Sequence, residues 1–249
     1  MNIRKDGKKK MQDMEVWDKI WKKFDFDANY RNTCEQLDSY YLIEEYFGKR
    51  VGNKILEVGC GSGLTSLILA KRYKLKPTFL DASAESIKIC KKNAKRLSIE
   101  AVCVMALAQE LPFKDNEFDI VLSGGLIEHL TPEDKLKAMQ EMYRVSKNLV
   151  IVIVPNAHNV PYRIGKFWRE LLGKWAFGDE NPLTKNELRS LTEKSDAKIK
   201  VFGVRFIESL AWIFPHTDRF AKKLRGRRSP LDNYGCELVL IMEKKGEQK

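Results

Sequence analysis

The chain has 249 residues, enough to bury one good hydrophobic core in a single domain with insertions. A content of 43% hydrophobic and 32% charged residues excludes a disordered chain, and the longest apolar run, Leu149 to Val154, is too short to span a bilayer. A net charge of +11 favours acidic partners such as nucleic acid, anionic lipid or phosphorylated substrates. A lysine-rich solvated surface explains the same charge, and we favour it over nucleic acid because no RNA-binding motif is present.

The cysteines are five in number, widely scattered and without metal-ligand spacing, which predicts free thiols in a reducing cytoplasm. They are Cys34, Cys60, Cys90, Cys103 and Cys236. The basic segment Met1 to Lys10 has no apolar region after it, so we expect a disordered tail, no secretory signal and a cytoplasmic location. The sequence carries no signal for an oligomeric state.

Two helices are predicted near the N-terminus, over Met11 to Phe24 and Thr33 to Phe47. In the first, Trp17 and Trp21 fall on one face at a four-residue step, which we interpret as core packing. The polar link between the helices supplies two predicted substrate contacts, Tyr30 and Arg31.

A strand, a glycine turn and a helix follow at Lys54 to Tyr73. The apolar run to Val58 suits a strand buried on both faces, and Leu64 to Tyr73 has apolar residues at helical spacing. The turn between them has glycine at alternate positions, namely Gly59, Gly61 and Gly63. Glycines let the backbone turn sharply and approach a ligand closely, and the helix start offers free N–H groups.

The spacing of these glycines separates the ligand classes that use such a turn. A dinucleotide fingerprint would place its third glycine at Leu64, which argues against a nicotinamide dehydrogenase. A P-loop would need Lys followed by Ser or Thr at the helix start, and neither occurs there. Glu57, at the carboxyl end of the strand, suits a cationic ligand better than a phosphate.

The second strand, Leu75 to Leu80, ends in Asp81, where an acid can accept hydrogen bonds from both ribose hydroxyls. With the glycine turn and this acid, Lys54 to Pro155 resembles the class I S-adenosylmethionine-dependent methyltransferases. The resemblance implies S-adenosylmethionine as cofactor and N-terminal helices that cover it. It implies cofactor contacts from Glu57, Gly59, Cys60, Gly61, Gly63, Asp81, Ala82, Leu107, Ala108, Gln109, Ser123 and Gly124.

One of these positions departs from the family pattern. Relatives commonly have an Asp at the position of Leu107, which accepts a hydrogen bond from the adenine amino group. Leu107 cannot accept one, so Gln109, a backbone carbonyl or water would have to accept it instead. An adenine amino group that is buried without any acceptor would cost about 1 to 3 kcal/mol. Alternatively, Leu107 packs against the adenine ring.

The fourth strand, Glu117 to Ser123, brings its end to the same sheet edge as the glycine turn. Glu128 and His129 follow, and His129 has a suitable pKa to act as a general base in methyl transfer. The alternative is that this pair is structural. Quinone-precursor O-methyltransferases hold a metal here with E-x-x-E-H, but Gly125 replaces the first Glu, so we predict no metal.

After the fifth strand, Lys147 to Pro155, a polar loop is predicted to meet the substrate. Its predicted contacts are Asn156, His158 and Tyr162. Tyr162 to Phe177 mixes cations with aromatic residues where family members insert a substrate lid. This segment either holds an acidic or planar substrate or packs on the core.

Two further strands, Lys198 to Val204 and Cys236 to Lys244, complete an α/β fold. We predict a doubly wound Rossmann-like sheet of seven strands, mostly parallel with an antiparallel last strand, with helices on both faces, an N-terminal helical cap and an inserted lid. The predicted single domain, 1–249, comprises tail and cap (1–50), cofactor-binding core (51–155), lid insertion (156–196) and sheet completion with a basic insertion (197–249).

The expected function is methyl transfer from S-adenosylmethionine to a small-molecule or lipid-linked acceptor by in-line displacement. The alternative is a catalytically weak protein of the same fold that binds RNA or a membrane surface through its basic C-terminal region. That region joins an apolar stretch, Phe206 to Phe220, to five basic residues. They are Lys222, Lys223, Arg225, Arg227 and Arg228, and we favour a solvated surface loop as their explanation because runs of surface charge are usually solvated.

Overall fold

The structure is a computed structural model, and it describes residues 15–39, 52–214 and 229–244. The predicted N-terminal tail, the second half of the predicted Thr33 to Phe47 helix and the five basic residues of 222–228 lie outside the described residues. Within the described ranges, no helix combines the length and the apolar character that crossing a membrane requires.

Seven strands form one sheet in the order β3-β2-β1-β4-β5-β7-β6. They are β1 (Lys54–Val58), β2 (Lys76–Asp81), β3 (Val102–Met105), β4 (Phe118–Gly124), β5 (Ser146–Pro155), β6 (Lys198–Val204) and β7 (Glu237–Glu243). Pairings among β1 to β5 are parallel, whereas β7 runs antiparallel to both β5 and β6. The predicted mostly parallel sheet with an antiparallel last strand is confirmed.

Helices cover both faces of this sheet. They are α1 (described over 15–22), α2 (Phe26–Ser39), α3 (Leu64–Tyr73), α4 (Ala84–Arg96), α5 (Pro132–Val145), α6 (Val160–Leu171), α7 (Lys185–Ser190) and α8 (Phe206–Ser209). Successive strand residues point to opposite faces. Leu56 therefore packs in one core cluster with Met139 of α5, and Ile55 in another with Ile68 of α3.

Local signals fix several helix starts. Thr131 accepts a hydrogen bond from the Asp134 N–H, and Pro132 occupies the first turn of α5. A capping box formed by Thr184 and Glu187 begins α7.

One predicted boundary is wrong. Tyr30 and Arg31 were placed in a link between helices, but both lie inside α2. Asp25 Oδ1 accepts a hydrogen bond from Ala28 N at 3.0 Å, so the helix is capped there and begins at Phe26.

The strand order reverses between β1 and β4, whose neighbours in sequence lie on opposite sides. In an open α/β sheet, ligands bind at the carboxyl ends of the strands beside such a reversal. The glycine turn after β1, Asp81 at the end of β2 and the segment after β4 meet at this edge.

Candidate active site

The glycine turn needs glycine for conformation and for space. Gly59, Gly61 and Gly63 all have positive φ, at 70°, 51° and 71°. A Cβ on Gly61 would lie 2.4 Å from the ring of Trp21, and one on Gly63 would lie 2.3 Å from Cys90 Sγ. A side chain at either position would require its neighbours to move.

Asp81 ties the glycine turn to the loop after β2. Its Oδ2 accepts a hydrogen bond from Gly61 N at 2.8 Å, and its Oδ1 accepts one from Ser83 N at 2.9 Å. Burial raises the pKa of this carboxyl, while the two backbone N–H groups act in the opposite direction. Ala82 directly follows Asp81 and is half-buried at the same edge of the sheet.

Glu57 joins the end of β1 to the first turn of α3. It is 5% exposed, and its Oε2 accepts a hydrogen bond from Ser66 N at 3.2 Å. Burial raises the pKa of this carboxyl to about 7, against the opposing effect of Ser66. A carboxylate at a helix N-terminus is favoured by the helix dipole, so Glu57 holds the glycine turn in register with α3.

The N-terminal helix covers this turn. The Trp21 ring lies against Gly61, and Asp18 Oδ1 accepts a hydrogen bond from Ser83 Oγ at 2.5 Å. The Trp17 ring meets His129 edge-on, with centroids 4.9 Å apart. Both tryptophans are only half-buried, so they pack on the rim of the site and not in the core as the sequence suggested.

The segment after β3 lies beside Asp81, because Ala106 N donates a hydrogen bond to Asp81 O at 3.1 Å. The Leu107 side chain is 45% exposed, Ala108 is buried and Gln109 is half-buried. An exposed apolar side chain at this edge offers a surface for a flat ring.

A cavity of about 220 Å³ opens between the ends of β4 and β5 and helix α2. Residues of five segments line it, among them Thr33, Gln36, Thr65, Gly124, Glu128 and Glu237. Thr65 belongs to the first turn of α3, so the cavity adjoins the glycine turn. Ser123, just before Gly124, is fully buried, and its hydroxyl has no hydrogen-bond partner among the described residues.

The two acids that line the cavity have different environments. Glu237 is ion-paired with Arg205, whose NH1 lies 3.1 Å from both carboxylate oxygens, and it also accepts a hydrogen bond from Gln36. Glu128 is 2% exposed, and within the described ranges its Oε2 has no hydrogen-bond partner. Burial raises the pKa of Glu128 to about 8.

His129 lies between Glu128 and the lid. Its Nδ1 is 2.9 Å from the carbonyl oxygen of Asp179, and its Nε2 is 4.0 Å from Glu128 Oε1. A carbonyl can only accept, so the ring proton lies on Nδ1 and Nε2 directs its lone pair towards Glu128.

The lid contributes an acid that sequence reasoning missed, Glu180. Its carboxylate accepts a hydrogen bond from the Tyr162 hydroxyl, and its carbonyl accepts one from Lys166 Nζ. The N–H of the next residue, Asn181, donates to the carbonyl of Glu128 at 3.1 Å. The lid is therefore fastened to the turn that carries Glu128 and His129.

The predicted substrate residues are dispersed. Tyr30 stacks on Phe26 at 5.5 Å and packs beside the core, and Arg31 is exposed on α2. His158 is exposed and lines a second cavity with Lys185. The structure does not bring these three to the cavity that Glu128 lines.

Asn156 and Tyr162 are buried, which corrects the expectation of an exposed polar loop. The Asn156 amide donates to the carbonyls of Asn233 and Gly235, so it joins the end of β5 to the segment before β7. Tyr162 packs edge-on against Trp175 and Trp212, which place it inside the lid.

Comparison with known proteins agrees with this geometry. Residues 55–148 match the model of a methyltransferase domain family. The chain is 36% identical over 107 residues to ajmaline N-methyltransferase of Rauvolfia serpentina, which covers 42% of this chain and 36% of that enzyme. It is 35% identical over 115 residues to the chloroplastic 2-phytyl-1,4-beta-naphthoquinone methyltransferase of Arabidopsis thaliana, covering 43% and 42%. The chain thus spans about two fifths of the length of these curated relatives.

The fold is similar to that of magnesium protoporphyrin IX methyltransferase from Synechocystis PCC 6803 with bound SAH. The TM-score is 0.60 at 13% identity, over 90% of this chain and 89% of that one. At this identity the similarity shows the fold alone. Residues 55–148 thus match a methyltransferase domain family, in a chain whose fold is similar to that of a methyltransferase.

Proposed function

We propose that the chain transfers a methyl group from S-adenosylmethionine to a small-molecule acceptor. The observation that carries this proposal is the position of the cavity, which shares the first turn of α3 with the glycine turn. A cofactor on the turn and an acceptor in the cavity would therefore meet at the ends of β1 and β4. In-line displacement at a sulfonium carbon needs mainly that alignment.

The residues of the turn fit the parts of the cofactor. The turn backbone would hold the methionine end, and the space that a Cβ at Gly61 would need is taken by the Trp21 ring. Each oxygen of the Asp81 carboxylate accepts one backbone hydrogen bond and keeps a second lone pair for a ribose hydroxyl. Leu107 offers its exposed side chain to the adenine ring.

The cavity supports an acceptor of limited size. Its volume of about 220 Å³ suits a small molecule or the reacting end of a larger one. Glu128 presents a buried carboxyl oxygen there, with His129 beside it, and either group can take a proton from an acceptor hydroxyl or ammonium. The comparisons do not favour the alternative of an anion-binding protein.

Calorimetric titration with S-adenosylmethionine and S-adenosylhomocysteine tests the proposal. We expect both to bind, and Asp81→Ala to weaken each by at least about tenfold because two backbone N–H groups lose their acceptor. Asp115→Ala is the control, since this exposed acid pairs with Arg144. The proposal is wrong if neither compound binds the native chain at millimolar concentration.

Turnover is tested separately. The native chain is incubated with S-adenosylmethionine and panels of small phenols, amines and thiols, and S-adenosylhomocysteine release is measured. We expect one chemical class to accelerate release and Glu128→Gln to slow it. Binding without turnover by any class would leave the cofactor site intact and argue against a small-molecule acceptor.

A further inference from the structure

Three side chains from two distant segments converge beside the cavity. Glu128 and His129 belong to the turn after β4, and Glu180 belongs to the lid, yet one ligand atom from each lies within 4.8 Å of the others. Three ligand atoms on a common divalent ion, at bonds of about 2.0 to 2.2 Å, lie about 3 to 4 Å apart. Side-chain shifts of about 1 Å would bring all three onto one ion.

The imidazole of His129 is oriented as metal-ligating histidines usually are. Its Nδ1 donates to the Asp179 carbonyl at 2.9 Å, which directs Nε2 towards Glu128 Oε1 at 4.0 Å. A hydrogen bond from the second ring nitrogen fixes the tautomer and raises the basicity of the ligating one.

Glu128 provides an independent indication of a missing ligand. The side chain is 2% exposed, and its Oε2 has no hydrogen-bond partner among the residues that the structure describes. A buried carboxylate oxygen without a partner is costly, and here a second carboxylate, Glu180, adds repulsion. A bound cation would satisfy the orphaned oxygen and offset the repulsion between the two acids.

The lid holds the third ligand in place. Tyr162 donates to the Glu180 carboxylate, and Asn181 N donates to the carbonyl of Glu128. The prediction of no metal depended on Gly125, which stands where another acid would be needed. Glu180 supplies that acid from a different part of the chain.

We propose that Glu128, His129 and Glu180 bind one divalent transition-metal ion of the Mn²⁺ or Zn²⁺ type. One nitrogen and two carboxylate ligands suit such ions. Metal binding does not depend on methyl transfer. A role for the ion in lowering the pKa of an acceptor hydroxyl in the adjoining cavity rests on the proposed function.

Titration of the chelator-treated full chain with Mn²⁺, followed by electron paramagnetic resonance of the free ion, tests the site. Mn²⁺ prefers oxygen and nitrogen ligands, so the five cysteines contribute little to the count. We expect about one ion per chain and a 10- to 100-fold weaker affinity in Glu180→Gln. Glu133→Gln, an exposed acid on α5 paired with Lys137, should bind as the native chain does.

Two results would overturn the proposal: no saturable Mn²⁺ binding up to millimolar concentration, or equal affinity in the native chain, Glu180→Gln and His129→Asn. Circular dichroism and S-adenosylhomocysteine titration of the same preparations show whether each variant is folded and keeps its cofactor site. Loss of Mn²⁺ binding with retained S-adenosylhomocysteine binding supports the metal site. Retained Mn²⁺ binding in a native chain that binds no S-adenosylhomocysteine overturns the proposed function alone.

Discussion

The two halves of the site satisfy their charges in different ways. In the cofactor region, defined by Glu57, the glycine turn 59–63 and Asp81, the carboxylates accept hydrogen bonds from nearby backbone N–H groups. In the acceptor region, defined by Glu128, His129 and Glu180, a buried and a half-buried acid lie together, and one oxygen has no hydrogen-bond partner within the described ranges.

This difference indicates which kind of ligand would complete each region. The carboxylates of the cofactor region already accept backbone hydrogen bonds before any ligand binds. That region is therefore preorganised, and we expect it to recognise its ligand by shape. The acceptor region has a buried carboxyl oxygen without a partner among the described residues, and such groups mark sites completed by a cation, a proton or a substrate. Substitutions can distinguish the effects of backbone and side-chain shape from the effects of ionisable groups.

The largest effect is expected from Gly63→Ala in the cofactor region. The new Cβ would meet Cys90 Sγ at 2.3 Å in a left-handed conformation, which together cost about 3 to 5 kcal/mol of unfolding free energy. Gly173→Ala has a similar φ of 64°, and within the described ranges no atom apart from its chain neighbours lies within 4 Å of the new Cβ, so it should cost only about 1 to 2 kcal/mol. Urea unfolding measures both. Equal losses would show that conformation alone, and not the contact, requires glycine.

The second effect is a pH dependence caused by Glu57. Its pKa is raised from 4.5 to about 7, so between these values the folded chain binds more protons than the unfolded chain. Stability is therefore highest below about pH 4.5 for this group and falls as pH rises towards 7, by on the order of 3 kcal/mol.

Glu57→Gln should remove that loss, whereas Glu100→Gln, an exposed acid, should not. Unfolding free energies at intervals from pH 4.5 to 8 make the comparison. If the native chain and Glu57→Gln follow parallel curves, burial does not govern this carboxyl.

The third effect tests whether Asn156 has a structural role or a role in substrate binding. Asn156→Ala removes the amide that donates to the carbonyls of Asn233 and Gly235, and should cost about 2 to 3 kcal/mol of unfolding free energy. Cofactor affinity should stay within about twofold, because Asn156 contacts the segment before β7. Reduced turnover at unchanged stability would instead restore its predicted role in substrate binding.

The cofactor region was largely predictable from sequence. The strand, the three alternate glycines and α3 are contiguous, and periodicity and turn chemistry describe contiguous segments well. The starts of α5 at Thr131 and α7 at Thr184 were predictable for the same reason, since each cap bonds within three residues.

The acceptor region was not predictable because its contacts join distant residues. Glu180 meets Glu128 only through the folded lid, and no spacing rule relates the two. Asn156 has its partners in the 233–235 segment, so its polarity suggested exposure when it is buried. The start of α2 had a local signal that was missed, the cap by Asp25.

The smallest effect tests how the N-terminal helix is coupled to the cofactor region. Ser83 caps α4 by accepting from Ser86 N, and its hydroxyl donates to Asp18 of α1. Thr131 caps α5 in the same way, since its hydroxyl accepts a hydrogen bond from Asp134 N of that helix. Replacing either cap by Ala should cost about 1 kcal/mol of unfolding free energy.

Only Ser83→Ala should also weaken S-adenosylhomocysteine binding, by a few-fold, because Asp18 then loses its bond to the rim of the site. Calorimetry on both variants, matched for stability by urea unfolding, isolates that difference. An equal change in affinity in the two would mean that the tie to Asp18 adds nothing beyond the helix cap. A loss in Ser83→Ala alone would make α1 part of the cofactor site, with Trp21 against Gly61 as its point of contact.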